Sequence, residues 1–484
     1  MAIPTDFFTF HNVIAGECRS SERTDRTINP SDREPLWEVP VASTQDLDDA
    51  VASAQNAFVK WSKTKWSDRQ SFLARARDVL FQNRDQMAQL IVQEGGKPPQ
   101  FAALEVEHAL NFLDFYSEYC NPIKTEIMQD HKDLRISVSY APLGVVAAIC
   151  PWNYPLVLAM GKISAALVTG NCVITKPSPF TPYSILKFTE LVRDFFPPGV
   201  IQALHGDASL GPRICQHPDI QKISFTGSTA TGKKIMESAS KTLKRVTLEL
   251  GGNNASIVCS DIDVDIVAPQ IALGSFFNSG QLCVASKRIY VHQDIYEKFL
   301  AKMVEVVKSW KVGPATTPGI MLGPLQNEAQ YKIVKEFFLD TMKNGYMFAL
   351  GGQDFNATDN FVIEPAIVAN PPDDSLVVTG EAFGPIVPVM SWSDEEDLIR
   401  RVNATTTGLG GAVWSGNTEE AHRLAALIDA GTIWINSFEK PLPQAFFAGR
   451  KESGLGGEWG SQGLLSYCSS QTIHHYKAPV TPNL

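Results

Sequence analysis

The sequence contains no CxxC pair, although it has eight cysteines, at positions 18, 120, 150, 172, 215, 259, 283 and 468. Zinc ribbons and iron–sulfur sites draw ligands from such local pairs, so no metal is expected. There is no basic stripe either, and the net charge is −10. Binding to nucleic acid or to an anionic membrane needs clustered Lys and Arg, so neither is an expected partner. No apolar run reaches the ~18 residues of a membrane span. The opening, MAIPTDFFTFHNVIAGE, lacks the basic n-region and unbroken apolar run of a signal peptide. The closing TPNL is neither a peroxisomal tripeptide nor a prenylation box. Reduced thiols and a cytoplasmic location are therefore expected.

What is present is a packed globular composition, 44% hydrophobic and 19% charged over 484 residues, which is too long for one core and predicts two or three domains. From Ser43 to about Leu113 the pattern is helical. Leu47, Val51, Ala54 and Phe58 recur at helical spacing, with Ser43 or Thr44 available as N-cap. Between Arg135 and Ser260, short β-rich runs (VVAAIC, CVITK, VIQAL, KISF, RVTLEL, ASIVCS) alternate with helix-length segments. Apolar strands in that alternation form a parallel sheet covered on both faces, with ligands at the carboxyl ends of its strands. A second alternating section, with the amphipathic helix IYEKFLAKMVEVVK and the strand TIWINS, predicts another α/β domain from about Asn254 to Glu452. The stretches 122–140 and 463–476 look like exposed strands for pairing with another subunit.

FTGSTATGKK (225–234) has the outline of a phosphate loop, with Gly227, Gly232 and Lys233 in place. A Walker A motif needs Ser or Thr after its lysine to hold Mg²⁺, and here stands Lys234. The loop nevertheless follows a strand and opens a helix, the place where an anion rests.

Four more positions attract attention, and each alone has a plainer explanation. Cys283 in NSGQLCVASKR could be a small buried hydrophobe. Glu249 in TLELGGNN could be a hydrogen-bonded core carboxylate, Asn153 in CPWNYP a turn former, and Lys176 in ITKPSP a solvated cation. The plain explanations weaken jointly, because Asn153, Lys176, Ser228 and Glu249 all fall at the carboxyl ends of expected strands.

CPWNYP, ITKPSP, FTGSTATG, LELGG, NSGQLC, EAFGP and KESGLGGEWG, in that order, resemble the motif series of the aldehyde dehydrogenase superfamily, from about residue 20 to 475. Glu249 and Cys283 also stand 34 positions apart, as in many members. The resemblance implies an aldehyde dehydrogenase-like α/β fold. Its parts would be a Rossmann-like cofactor domain (1–121 and 141–253), a catalytic domain (254–452), and a β oligomerisation element with the tail (122–140 and 453–484). It implies oxidation of an aldehyde to its acid with NAD, NADP being an alternative, in a homodimer or homotetramer.

By the same resemblance, Cys283 is the nucleophile, Asn153 and the Cys283 N–H hold the oxyanion, and Glu249 is the base for thioester hydrolysis. Lys162 and Glu458 match positions credited with relaying protons or supporting that base. Trp152, Lys176, Gly227, Ser228, Thr229, Gly232, Glu381 and Phe383 would meet the cofactor. A CoA-acylating member is the nearest alternative, against which Glu249 argues. Lys234 argues against an ATPase, and Cys283 against a purely structural role.

Three departures from the family pattern stand out. Gly380 replaces an acid before Glu381, Gly457 replaces an arginine before Glu458, and Pro179 replaces an acid that disfavours NADP. The tunnel positions correspond to Tyr154, Leu158, Gly161, Phe277, Leu282, Val284 and Phe447, with residues 438–446 at the mouth. Gly161 stands where tryptophan is frequent, which predicts a tunnel wider on that side. Tyr154, Phe277 and Phe447 offer aromatic surface suited to a flat ring, and Gly161 removes a wall that would hold a trimethylammonium. The absence of Lys and Arg from those positions disfavours anionic semialdehydes. A bulky apolar aldehyde, aromatic or long-chain, is therefore expected over a small aliphatic or betaine one.

Overall fold

Ser43 opens the helical section. Its Oγ accepts from the Asp46 N–H at 3.1 Å, and the Asp46 carboxylate accepts from the Ser43 N–H at 2.8 Å, a closed capping box. Four helices follow, Thr44–Trp61, Trp66–Gln82, Arg84–Gly95 and Pro99–Glu118. They pack residues such as Leu47, Leu73, Leu90 and Leu113 into the same core as the first sheet. The structure, a computed structural model, describes residues 6–352, 361–438, 440 and 442–477.

That sheet has eight strands. Its parallel part runs Ile201–Ala203, Cys172–Lys176, Val145–Ile149, Lys222–Thr226, Arg245–Glu249 across the sheet. Every residue of VVAAI, CVITK and KISFT is buried, as two covered faces require. Later strands lie on opposite sides of Val145–Ile149, so the strand order reverses between it and Lys222–Thr226. A crevice opens at such a reversal. The short strand Gly454–Leu455 returns late in the chain to pair with Leu248 and Glu249, which brings the following residues to that crevice.

A second sheet of seven strands is built from Ala255 onward, and its parallel order includes Ile386–Trp392, Arg288–His292, Ala255–Val258, Gly410–Trp414 and Thr432–Ile435. The stretches expected to reach another subunit pair with each other within the chain. Cys468–Tyr476 pairs with Leu134–Pro142 along its whole length, and Glu126–Asp130 adds a third strand. Residues 463–465 are not strand but the end of the helix Gly460–Leu465. Among the described residues no helix is long and apolar enough to cross a membrane.

Candidate active site

Cys283 is half-buried at the end of an unusual loop. Asn278, Ser279 and Gly280 all have positive φ, at 51°, 57° and 76°. For the two non-glycine residues this costs of order 1–3 kcal/mol each. Neighbours hold the loop in that shape. A Cβ on Gly280 would lie 2.2 Å from Gly384 O, Ser279 Oγ donates to Gly323 O at 2.7 Å, and Asn254 Nδ2 donates to Cys283 O at 2.7 Å. Asn153, in the loop after Val145–Ile149, donates through Nδ2 to Gln281 O at 3.1 Å. The amide is thereby fixed against the segment that carries the thiol.

Glu249 ends its strand fully buried, and neither carboxylate oxygen has a hydrogen-bond partner among the described residues. Burial pushes its pKa well above the ordinary value, the Glu458 carboxylate pushes the same way, and Lys162 opposes both. Lys162 Nζ lies 2.5 Å from Glu458 Oε1, and the Ser224 hydroxyl donates to that same oxygen. Lys222, two residues before Ser224 in the same strand, donates to Thr247 Oγ1 at 2.5 Å, and burial pulls it down to about 7.

Cys283, Asn153, Glu249 and Glu458 line one cavity of ≈ 690 Å³. Tyr154, Leu158, Phe277, Leu282, Val284 and Phe447 line it too. Gly161 does not, and the expected widening beside it is absent. A Cβ there would stand 2.8 Å from Trp459 Nε1 and 3.5 Å from Phe112 Cε1, so an indole from the far end of the chain already fills the space. Residues 438, 440 and 442–446 of the expected mouth are described, whereas Glu439 and Pro441 lie outside the described residues. Phe438, Leu442, Ala445 and Phe446 line the cavity, and so does exposed Lys440. The cavity wall therefore carries a cation that the seven tunnel positions did not include.

The positions expected to meet a cofactor lie at the other strand ends. Ser228 caps the helix Thr229–Ser240, its Oγ accepting from the Thr231 N–H at 3.3 Å. A Cβ on Gly227 would lie 2.4 Å from the Phe225 ring. Gly232 turns inward, where a Cβ would meet Leu250 at 2.7 Å, so packing of the helix on the sheet, and not contact with a ligand, accounts for this glycine. Lys176 is buried and its pKa is lowered by that burial. Trp152 and Phe383 meet edge to face at 5.4 Å. Glu381 forms an ion pair with buried Lys287, whose Nζ also donates to Gly252 O at 2.9 Å and lies 5.0 Å from the Phe383 ring centroid. A Cβ on Gly251 would collide with the Glu381 carboxylate at 2.1 Å, so that glycine forms a cradle for it. An exposed helix start, a buried lysine and a cradled carboxylate fit a dinucleotide's phosphates and riboses, with no Mg²⁺ ligand set required.

Two departures from the family pattern have steric causes. A Cβ on Gly380 would meet Phe337 Cζ at 2.8 Å, and one on Gly457 would meet Phe446 Cζ at 2.4 Å. Sequence reasoning missed Trp459, Lys287, Lys440 and the buried pair Lys97–Glu105. A signal existed for Lys287, a cation entering an otherwise buried strand. The only His/Cys/Glu cluster with metal-like spacing among the described residues is His11, Cys18 and Glu190, and Lys187 already occupies that carboxylate at 2.5 Å.

The model of the aldehyde dehydrogenase family matches residues 18–473. A putative aldehyde dehydrogenase of Gibberella moniliformis, FUS7, is 46% identical over 98% of this chain and 100% of its own. Among solved structures, the NAD+ complex of an aldehyde dehydrogenase from Bacillus cereus is 32% identical, with a TM-score of 0.93 over 97% of both chains. Betaine aldehyde dehydrogenase from Staphylococcus aureus in complex with NAD+ is 30% identical, with a TM-score of 0.94 over 98% of this chain and 97% of that one. The chain belongs to the aldehyde dehydrogenase family and is an NAD(P)-dependent enzyme acting on aldehydes.

Proposed function

We propose that the enzyme oxidises a bulky apolar aldehyde, aromatic or long-chain, to its carboxylic acid, and that water rather than CoA releases the product. The supporting observation is that Cys283, Asn153 and Glu249 share one cavity whose wall is otherwise largely aromatic and aliphatic. The Cys283 thiolate adds to the aldehyde carbon, and charge develops on the oxygen. The Asn153 amide, already aimed by Gln281 O, and the Cys283 N–H stabilise that charge. Lys176, Ser228, Thr229 and Glu381 would hold NAD, with Trp152 and Phe383 beside it, and the bound cofactor would accept the hydride that leaves the carbon. A thioester on Cys283 remains. Glu249 takes a proton from water, the resulting hydroxide attacks the acyl carbon, and the thiolate leaves. Lys162 and Glu458 pass the proton on.

The same reading divides the chain into the cofactor, catalytic and oligomerisation segments of the family, and has it act in the cytoplasm as a homodimer or homotetramer. Betaine aldehyde fits less well. Lys97 Nζ lies 3.5 Å from the Tyr154 ring centroid, so a second cation gains little there. Lys440 favours one alternative, an aldehyde with an anionic group at its far end. A panel of benzaldehyde, decanal, propanal, betaine aldehyde and succinic semialdehyde, with and without CoA, tests all of this through reduced-cofactor absorbance. The first two should have the highest kcat/KM, and CoA should not be acylated. Preference for succinic semialdehyde would transfer the reading to Lys440, and acyl-CoA formation would reject hydrolysis.

A further inference from the structure

Two consecutive residues of the helix Pro155–Val168 meet two consecutive residues near the chain's end. Lys162 pairs with Glu458, and Gly161 receives Trp459. The indole edge sits where a side chain at 161 would be, with Nε1 at 2.8 Å and Cδ1 at 3.5 Å from the would-be Cβ. The rest of the ring packs on Phe447 at 4.8 Å with 31° between planes, and on Phe112 at 5.1 Å. Trp459 is also part of the cavity wall.

The backbone holds the indole there in an unusual way. Trp459 has φ 64° and ψ 173°, a region that favours glycine. Its neighbours fix it on both sides. Glu458 and Phe447 exchange two backbone hydrogen bonds of 2.8 Å, and Trp459 O accepts from the Gly463 N–H at 2.9 Å. Such a backbone persists only where its surroundings over-determine it, and those surroundings are the cavity wall.

We infer that Trp459, seated in the notch left by Gly161, is the residue that sets the depth of the aldehyde cavity and selects which aldehydes it accepts. Gly161 and Trp459 act as one unit. A large residue at 161 requires a small one at 459, and the indole at 459 requires glycine at 161. With Phe447 stacked behind it, the indole offers a flat apolar face to an aromatic or extended substrate and closes the space behind that face. The inference rests on the proposal that this cavity receives the aldehyde.

The test compares kcat/KM for 2-naphthaldehyde, benzaldehyde and propanal across variants, with KM for NAD as a control. Trp459→Gly suits the φ of its position and opens the space of an indole. It should raise the naphthaldehyde-to-benzaldehyde ratio by about tenfold or more, with KM for NAD within about twofold. Gly161→Trp alone should lose folded protein, and Gly161→Trp combined with Trp459→Gly should recover both folding and a ratio close to wild type. If Trp459→Gly folds poorly, Gly161→Ala serves instead. Its methyl pushes the indole into the cavity and should lower kcat/KM for naphthaldehyde several-fold more than for propanal. An unchanged ratio in these variants, or a folded Gly161→Trp single variant with wild-type selectivity, overturns the inference. Failure of the wild-type enzyme to oxidise any of the three aldehydes would instead count against the proposed function.

Discussion

Lys162 Nζ stands 2.5 Å from Glu458, whereas Glu249, buried in the same cavity wall, forms no ion pair or side-chain hydrogen bond among the described residues. The Glu458 carboxylate nevertheless acts on Glu249 more strongly than the Lys162 ammonium does, and it adds to burial in raising the Glu249 pKa. A general base works in its ionised form, so a raised pKa moves the rising limb of the deacylation rate to higher pH. The rate of thioester hydrolysis should therefore still be climbing with pH above the ordinary carboxylate range. Glu458→Gln removes the like charge and leaves the Lys162 charge acting on Glu249 unopposed, and both effects favour ionisation. The limb should therefore move to lower pH even if the maximum rate falls. Single-turnover hydrolysis of the acyl-enzyme across pH measures this, and a shift to higher pH would contradict the arrangement.

Cys283→Ala should abolish turnover while leaving NAD binding within about threefold, since the proposed mechanism uses the thiolate as nucleophile and not to hold the cofactor. Glu249→Gln should keep a first-turnover burst of reduced cofactor and slow the steady state by about 10²–10⁴-fold, the usual contribution of a positioned base. Rapid mixing with benzaldehyde separates the two phases. A Glu249→Gln variant without a burst would place Glu249 before acylation instead.

Lys287 joins three segments that chemistry must keep together. It follows Cys283 by four positions, donates to Gly252 O just after Glu249, and pairs with Glu381 beside Phe383. Lys287→Met keeps the length of the stem and removes the charge, leaving the Glu381 carboxylate half-buried without its ion pair. KM for NAD should rise about tenfold or more, with a smaller change in kcat at saturating NAD. Lys287→Arg should restore part of the loss. An unchanged KM for NAD would mean that Glu381 is placed by the Gly251 cradle alone.

Lys176 is legible as a strand-end cation, and Pro179 stands three residues later, exposed. Pro179→Glu should raise the NAD-to-NADP ratio of kcat/KM by several-fold, because a carboxylate there repels a 2′-phosphate. A constant ratio would remove this position from cofactor selection.

The sheet of residues 126–130, 134–142 and 468–476 still has two edges, and all five residues of Glu126–Asp130 are exposed, Met128 by 63%. Bare edges of this kind are normally covered. Light scattering at assay concentration should show at least twice the mass of one chain. Ile127→Lys with Met128→Lys should reduce that mass if this edge is the contact.

Local pattern carried much of the architecture because period and burial coincide there. CVITK is a central strand buried throughout, and Ser43, one of the two candidate N-caps, closes a capping box with Asp46. The strand ends then placed Asn153, Lys176, Ser228 and Glu249. Gly161 was misjudged for a physical reason. Its neighbour in space is 298 residues away, and no local period reports what fills a glycine notch. Pairing of 134–142 with 468–476 was hidden likewise, since an exposed strand names a need for a partner but not which chain supplies it. Gly232 misled in the opposite direction, a motif glycine that packing against Leu250 explains.

The buried ion pair of Lys97 and Glu105 is not part of the cavity wall. Glu105 pairs with Lys97, and its Oε1 accepts from the N–H groups of Leu156 at 2.9 Å and Val157 at 3.4 Å. A carboxylate there satisfies two of the free donors at the start of the helix Pro155–Val168 and matches its positive end. Asn153 lies just before that helix, so Glu105 fixes where the amide points. Glu105→Ala removes the anion beside a buried ammonium and should lower stability by about 3–5 kcal/mol. Stability alone does not distinguish a core ion pair from a positioning role. Lys97→Met with Glu105→Met replaces both charges by apolar volume and should recover most of that stability. The two helix-start donors remain without their acceptor, so kcat for benzaldehyde should stay depressed by about tenfold or more, because a small misplacement of an oxyanion donor is expensive in rate. Chemical denaturation and steady-state kinetics on both variants separate the effects. Full recovery of kcat together with stability would reduce Glu105 to a packing role.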